Sequence, residues 1–283
     1  MLCAIIDDMI RKTLKYSVAV LALMFAGCGN PDADAARALV ESARQNIGAG
    51  KYAEAVADLD SLNVRYPRQT AERREGLVLR AQAFGGMARD SIEASSAALA
   101  AATLELEEAK AGVHHVDGPR GLEGYWLANG TQPKITSATT VQPRVSDEGY
   151  FYLIANVAGR KIGLSTVAAS AGADTYRSAP VAEARVVTVG SSETANFSPE
   201  ETGTLGAWLA AHPDTRSLTL EGRRGDVRVT LSPELRNQIV ACYRYATAVQ
   251  ALRTATINRE KYERMLATAR DQEANLTPVP DQQ

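Results

Sequence analysis

Apolar residues recur in three textures along this 283-residue chain. From residue 36 to about 113 they fall three and four apart, the period of one helix face. Ala36, Leu39, Val40, Ala43 and Ile47 form one stripe, Gly48-Ala49-Gly50 makes a turn, and Tyr52, Ala55, Val56, Leu59 and Leu62 form a second stripe that Pro67 stops. This pattern predicts a helical hairpin. Thr70 to about Gly112 contains no proline and predicts one long helix. Its seam is heptad-like: Leu77, Ala81, Phe84, Ala88, Ile92, Ser95, Leu99, Ala102, Leu106, Ala109 and Val113. Many members are small, so a partner helix can approach closely. Gly85-Gly86 predicts a kink in it.

From Gly118 the texture changes. Gly, Pro and Thr increase, and a period of two appears. Strands are predicted at Lys134–Val145, Tyr150–Val157, Lys161–Val167, Ala182–Val189, Arg216–Glu221 and Val227–Leu231. Turns are predicted at Asp147-Glu148-Gly149, Ala158-Gly159-Arg160 and Arg223-Arg224-Gly225-Asp226. Ser198-Pro199-Glu200-Glu201 reads as a capping box with proline at the first helical position, opening a short helix that runs to Ala211 and stops at His212-Pro213. Ser232-Pro233-Glu234 starts a helix of about 40 residues ending near Asn275, with Leu235, Ile239, Cys242, Ala246, Val249, Leu252, Thr256 and Leu266 on its apolar side.

The expected fold class is therefore α+β. Residues 28–35 read as a tether, 36–117 as a helical region, 118–231 as a small antiparallel β-rich head, 232–276 as a long C-terminal helix, and 277–283 as a disordered tail. Two packings satisfy this order. The helix over 232–276 can pair with 70–112 as an antiparallel coiled-coil stalk that carries the head, which is the more economical solution. Alternatively, both helices can bend onto the sheet.

The N-terminus reads as an address. Arg11, Lys12 and Lys15 precede the 12-residue apolar run Tyr16–Gly27, too short for the ~20 residues of a membrane span. It fits the apolar region of a secretory signal over 1–27, and Met9 is an alternative start to Met1. The run ends Phe25-Ala26-Gly27-Cys28, which resembles the lipobox of bacterial lipoproteins. That resemblance implies cleavage before Cys28, acylation of its sulfur and its new amine, and a membrane attachment through lipid. Gly29 after the cysteine, instead of Asp, favours the outer membrane; which face is left open. The overall pattern is similar to envelope lipoproteins of Bacteroidota. Gly50, Tyr52, Ala55, Leu59 and Pro67 resemble the second half of a tetratricopeptide repeat, over about one unit at 36–67.

Charge and composition narrow the function. Thirty-one Lys and Arg against 33 Asp and Glu give −2, so no basic field points to nucleic acid. Three cysteines exclude a disulfide scaffold, and Cys242 on a helical stretch reads as a buried, inert thiol. Of the three histidines, His114-His115 reads as a solvated helix end and His212 as a cap for carbonyls at a helix stop. Asp147 and Glu148 read as a solvated turn. No metalloprotease, nucleophile-elbow or phosphate-loop motif occurs, so no enzyme activity, metal or cofactor is expected. The head concentrates aromatics at Tyr125, Trp126, Tyr150 and Tyr152. In an alternating strand Tyr150 and Tyr152 face one way and Phe151 the other. Such a face suits protein or glycan contacts. Arg144, Arg160 and Lys161 are candidates to line it. The leading expectation is a non-enzymatic interaction or scaffold module working with other envelope proteins. The alternatives are capture of a glycan or cell-wall fragment and, third, an envelope hydrolase built on folded-together carboxylates. The small-residue seams also suit pairing of two copies.

Overall fold

The first helix, α1 (Pro31–Gly48), begins inside the stretch read as a tether. Asn30 is its N-cap, accepting from the Asp32 N–H at 3.2 Å, and Pro31 occupies the first turn, where its missing N–H costs nothing. The computed structural model describes residues 30–118 and 123–277. Cys28, the leader at 1–27 and residues 278–283 lie outside the described residues. The described chain divides into two compact units, 30–90 with 263–277, and 91–262. It is an α+β protein, as the alternation of periods predicts.

In the first unit α1 pairs with α2 (Tyr52–Arg65) as the predicted hairpin. A hairpin alone cannot bury both of its apolar stripes. The beginning of α3 (Thr70–Lys110) covers it: Leu79 and Ala83 join Ala36, Val40, Ala43, Ala55, Leu59 and Leu62 in one buried cluster. The seam differs from prediction at its first member. Leu77 is 45% exposed, and it is Gly76 that lies against Leu59 and Leu62. The helix runs through Gly85-Gly86 without interruption. Gly86 is there because the Tyr52 ring lies against the helix backbone, in space a Cβ would occupy. The last part of α6 (Pro233–Leu276) pairs with α3 in this unit, with Gly85 beside Leu266 and Ala269, and the Gln82 amide donating to Glu273 at 2.8 Å.

The second unit holds two antiparallel sheets. One is six-stranded: β1 (Val113–Val116), β2 (Tyr125–Ala128), β3 (Thr140–Ser146), β4 (Phe151–Val157), β8 (Ser192–Phe197) and β7 (Val186–Val189), in that order. The other is β10 (Gly225–Thr230), β9 (Ser217–Gly222), β5 (Leu164–Ala171) and β6 (Asp174–Arg177). Phe151, Leu153, Ala155 and Val157 face one way along β4 and meet Val167, Leu218 and Leu220 of the other sheet in one core. Leu235, Ile239, Cys242 and Ala246 of α6 pack on the same core, and so do Leu205 and Leu209 of α5 (Leu205–Ala211).

Several boundaries move, each for an identifiable reason. The helix α3 ends at Lys110, and Val113–Val116 is a strand, not a helix end. Asn129 holds the junction, its N–H donating to Gly112 O and its amide to Ala111 O, both at 2.9 Å. Residues 135–139 form a turn, with the Ser137 and Ala138 N–H groups on Lys134 O, so β3 starts only at Thr140. β5 starts at Leu164, not Lys161, because the N–H groups of Ile162, Gly163 and Leu164 all donate to the Glu193 carboxylate. That acid sits at a core-facing position of β8, which breaks the alternation that would have revealed this strand. Glu183–Arg185 forms a 3-10 turn, leaving only Val186–Val189 of its predicted strand. The capping box at Ser198 forms, but Gly203 divides the predicted helix into α4 (Pro199–Thr202) and α5.

Small residues occupy most of the buried heptad positions. Along α3, Ala81, Ala88, Ser95 and Ala102 are buried at every seventh residue; along α6, Ala248, Ala255 and Ala269 follow the same spacing, with half-buried Tyr262 at the position between the last two. Thr256, expected on the apolar side, is exposed, and its neighbour Ala255 takes the buried position.

Candidate functional site

Strand register decides which aromatics can act together. Tyr125 lies opposite Ser146, and Arg144 opposite Tyr152. Side chains alternate along strands, so Tyr125, Arg144 and Tyr152 share the outer face of the six-stranded sheet. Trp126, Val145 and Phe151 take the inner one. The Arg144 guanidinium stands 4.1 Å from the Tyr125 ring centroid, a cation–π contact. Its Nε–H donates to Gln142 Oε1 at 2.8 Å, and Tyr152 stands beside it on the neighbouring strand. Burial raises the Tyr152 pKa; the opposing influence of Arg144 does not cancel that rise. Tyr152 therefore stays protonated across the physiological range. The product is a tyrosine–guanidinium–tyrosine platform whose two rings are half-buried. Tyr150 continues the parity of Tyr152 just before β4, with 43% of its surface exposed. Phe151 faces the other way and is buried, which settles the choice the alternation left open between the two faces.

Trp126 does not join the platform. Its ring meets His115 edge-on at 5.1 Å and lies 4.9 Å from Tyr245 of α6. His115 Nε2 is 2.8 Å from Asp147 Oδ1, and Nδ1 is 3.1 Å from Asp117 Oδ1. Asp147 is thus engaged by a histidine and is not simply a solvated turn residue. The turn is fastened a second time by Gln250, whose amide donates to Glu148 O at 2.8 Å. Burial, with the Asp147 charge adding to it, raises the Tyr245 pKa. Trp126 is a buttress that ties β1, β2 and α6 together beneath the platform. Carboxylates face both ring nitrogens of His115, and the group fastens the turn at Asp147.

The remaining expected residues fall elsewhere. His114 Nδ1 lies 3.1 Å from Asn129 Oδ1, and His212 Nδ1 lies 2.8 Å from the Trp208 carbonyl at the end of α5, the capping role its position implies. Arg160 donates to the Asp226 carbonyl at 2.7 Å, and Lys161 is exposed. Arg224-Gly225-Asp226 lies at the exposed tip of the β9–β10 hairpin. Cys242 is fully buried, its S–H donating to Pro143 O at 3.8 Å, and burial pushes the thiol up to about 12. At neutral pH it carries almost no thiolate, the form that reacts. Among the described residues no three His, Cys, Asp or Glu side chains are grouped to hold a metal ion.

Chemically the platform offers two π faces, two phenol hydroxyls and guanidinium N–H donors. That set suits a ring-bearing or hydroxyl-rich ligand, or the polar–aromatic centre of a protein interface. Arg144 was visible as a candidate; its place between two tyrosines follows only from the register of β2, β3 and β4. His115 and Asp147 gave no usable signal, being 32 residues apart. No family model matches the chain, and no curated protein or solved structure matches it.

Proposed function

We propose that this chain is a lipid-anchored protein of the bacterial cell envelope, held at the outer membrane through Cys28, that acts as a non-enzymatic interaction or scaffold module. The observation that carries the contact surface is Arg144 held between Tyr125 and Tyr152. Arginine and tyrosine are enriched among the few residues that dominate binding energy, and here their side chains are fixed before any partner arrives. The positive segment, the short apolar run and Phe25-Ala26-Gly27-Cys28 support the anchor. Two or three acyl chains on one residue provide the several signals that stable attachment needs.

A second reading, capture of a glycan or cell-wall fragment by the same face, is favoured by the exposure of Tyr150 beside half-buried Tyr152. One variant tests both. Tyr125→Ala/Tyr152→Ala is expected to weaken recovery of an envelope protein partner by tenfold or more, about the loss of one strong contact residue, without lowering the melting temperature of the head by more than a few degrees. Undiminished recovery would remove the platform from the proposal. If wild-type protein instead binds members of a cell-wall glycan panel and the double variant does not, the second reading replaces the first.

A further inference from the structure

The opposite border of the six-stranded sheet has a different character. β7 pairs only with β8 among the described strands. The two are joined by Gly190-Ser191, and Gly190 has φ +59°, the left-handed conformation that a two-residue turn with glycine first requires. Val189 and Ser192 close that turn as a hydrogen-bonded pair. Alternation then gives Val187 to β8 and points the N–H and C=O of Thr188 away from the sheet. Natural edges are guarded by charge, proline or bulges. The other borders follow that rule: β1 carries two histidines, β6 has Asp174 and Arg177, and β10 has Asp226 and Arg228. β7 reads Val-Val-Thr-Val, with Val187 58% and Val189 73% exposed.

On its other face, Val186 and Thr188 border a cleft of about 300 Å³ lined by Glu193, Arg223 and Arg224. Glu193 is buried there and accepts from three backbone N–H groups, at 2.7 Å from Ile162, 2.9 Å from Gly163 and 3.3 Å from Leu164. Those amides already stabilise its charge. Arg224 forms an ion pair with Glu193 at 3.7 Å while 64% of its side chain stays exposed, so the outer part of its guanidinium can meet a second carboxylate; Arg223 is paired with Glu183 at 2.9 Å.

We propose that β7 accepts an extended segment of another protein by strand addition. Its β-branched side chains would lie over Val187 and Val189, and one carboxylate side chain would point into the cleft toward Arg224. Main-chain bonds supply the affinity of such pairing, and pockets for alternate side chains supply its specificity. A second copy of this chain is the poorer occupant, because its own β7 has no acid and would lay Val or Thr over the arginine. This site is distinct from the Tyr125–Arg144–Tyr152 platform, from which β8 separates it, and it does not rest on the platform's role.

The test uses the full chain and a short synthetic peptide alternating Val and Thr with one central Glu, alongside the same peptide with Lys in its place. Binding is read by fluorescence anisotropy, and protection of 186–189 by hydrogen exchange. The Glu peptide is expected to bind more tightly and to slow exchange of the Thr188 amide. Thr188→Pro, which removes an outward N–H while leaving the bonds to β8, is expected to weaken it by about tenfold or more. Arg224→Glu is expected to reverse the preference between the two peptides, a result that general loss of structure would not produce. No saturable binding of either peptide, or binding that Thr188→Pro leaves unchanged, overturns the proposal. Self-association of the chain that Thr188→Pro abolishes overturns it too, in favour of a second copy as occupant.

Discussion

Tyr176 shows how one side chain couples the fold to pH. Its hydroxyl donates to the Thr202 carbonyl, joining β6 to α4, and burial pushes it up to about 12 from the ordinary 10.0. A folded-state pKa above the unfolded one means the neutral form is favoured on folding. The stabilisation is therefore complete below about pH 10 and is lost as pH rises toward 12. Burial raises Tyr152 and Tyr245 in the same direction. Stability measured by urea unfolding is expected to fall between about pH 10 and 12. Tyr176→Phe is expected to start lower at neutral pH, having lost the hydrogen bond, and to fall less steeply across that window. An equal slope in wild type and variant would show that Tyr176 does not contribute.

Glu193 illustrates the same scale from the acidic side. It is a buried carboxylate whose solvation is replaced by three amide donors, the condition under which a buried charge is tolerated. Glu193→Gln keeps the shape but turns charged hydrogen bonds into neutral ones and brings an amide N–H group among donors. A loss of about 2–4 kcal/mol in unfolding free energy is expected, from bonds worth roughly 1.5–3 kcal/mol each to a charged acceptor. A loss below about 1 kcal/mol would mean that water does this work as well as the carboxylate.

Among the elements, α3 is the most instructive. Two adjacent glycines in a helix are read as a weakness, since glycine costs about 0.5–1 kcal/mol against alanine. Here the helix is continuous, and Gly86 leaves room for the Tyr52 ring of α2. Two effects of opposite sign therefore compete in Gly86→Ala. The propensity gain is smaller than the roughly 1–3 kcal/mol cost of overpacking. A net loss of stability is expected, turning neutral or favourable in a Tyr52→Ala background, as a double-mutant cycle by urea unfolding would show. Equal effects in both backgrounds would assign the glycine to something other than Tyr52. The buried heptad positions of α3 follow the same logic, because alanine or serine at every seventh residue sets how near a neighbouring helix can lie.

For the whole molecule, no helix among the described residues is long and apolar enough to cross a membrane. Attachment in the proposed form then depends on one residue. Cys28→Ser in the full chain is expected to abolish incorporation of a labelled fatty acid and to move the protein from the membrane pellet to the soluble fraction. Persistent labelling or pelleting would remove the lipid anchor from the proposal.

What the residues determined by themselves was local and periodic. The helical hairpin, the long helices and their proline and capping signals were legible, because helix periodicity and caps are written within a few neighbouring positions. So were the alternation that sets Phe151 opposite Tyr150 and Tyr152, though not which face is buried, and the burial of Cys242. Tertiary structure alone decided the rest. Pairing of β1 with β2 turned His114-His115 from a helix end into a strand, and donors from 162–164 made an acid acceptable in the core at Glu193. Register placed Arg144 between two tyrosines and sent Trp126 to the other face, and sheet order left the uncharged strand Val186–Val189 at an edge. Each of these depends on a hydrogen bond or a contact between residues far apart in sequence, and no local propensity records which distant strand will supply it.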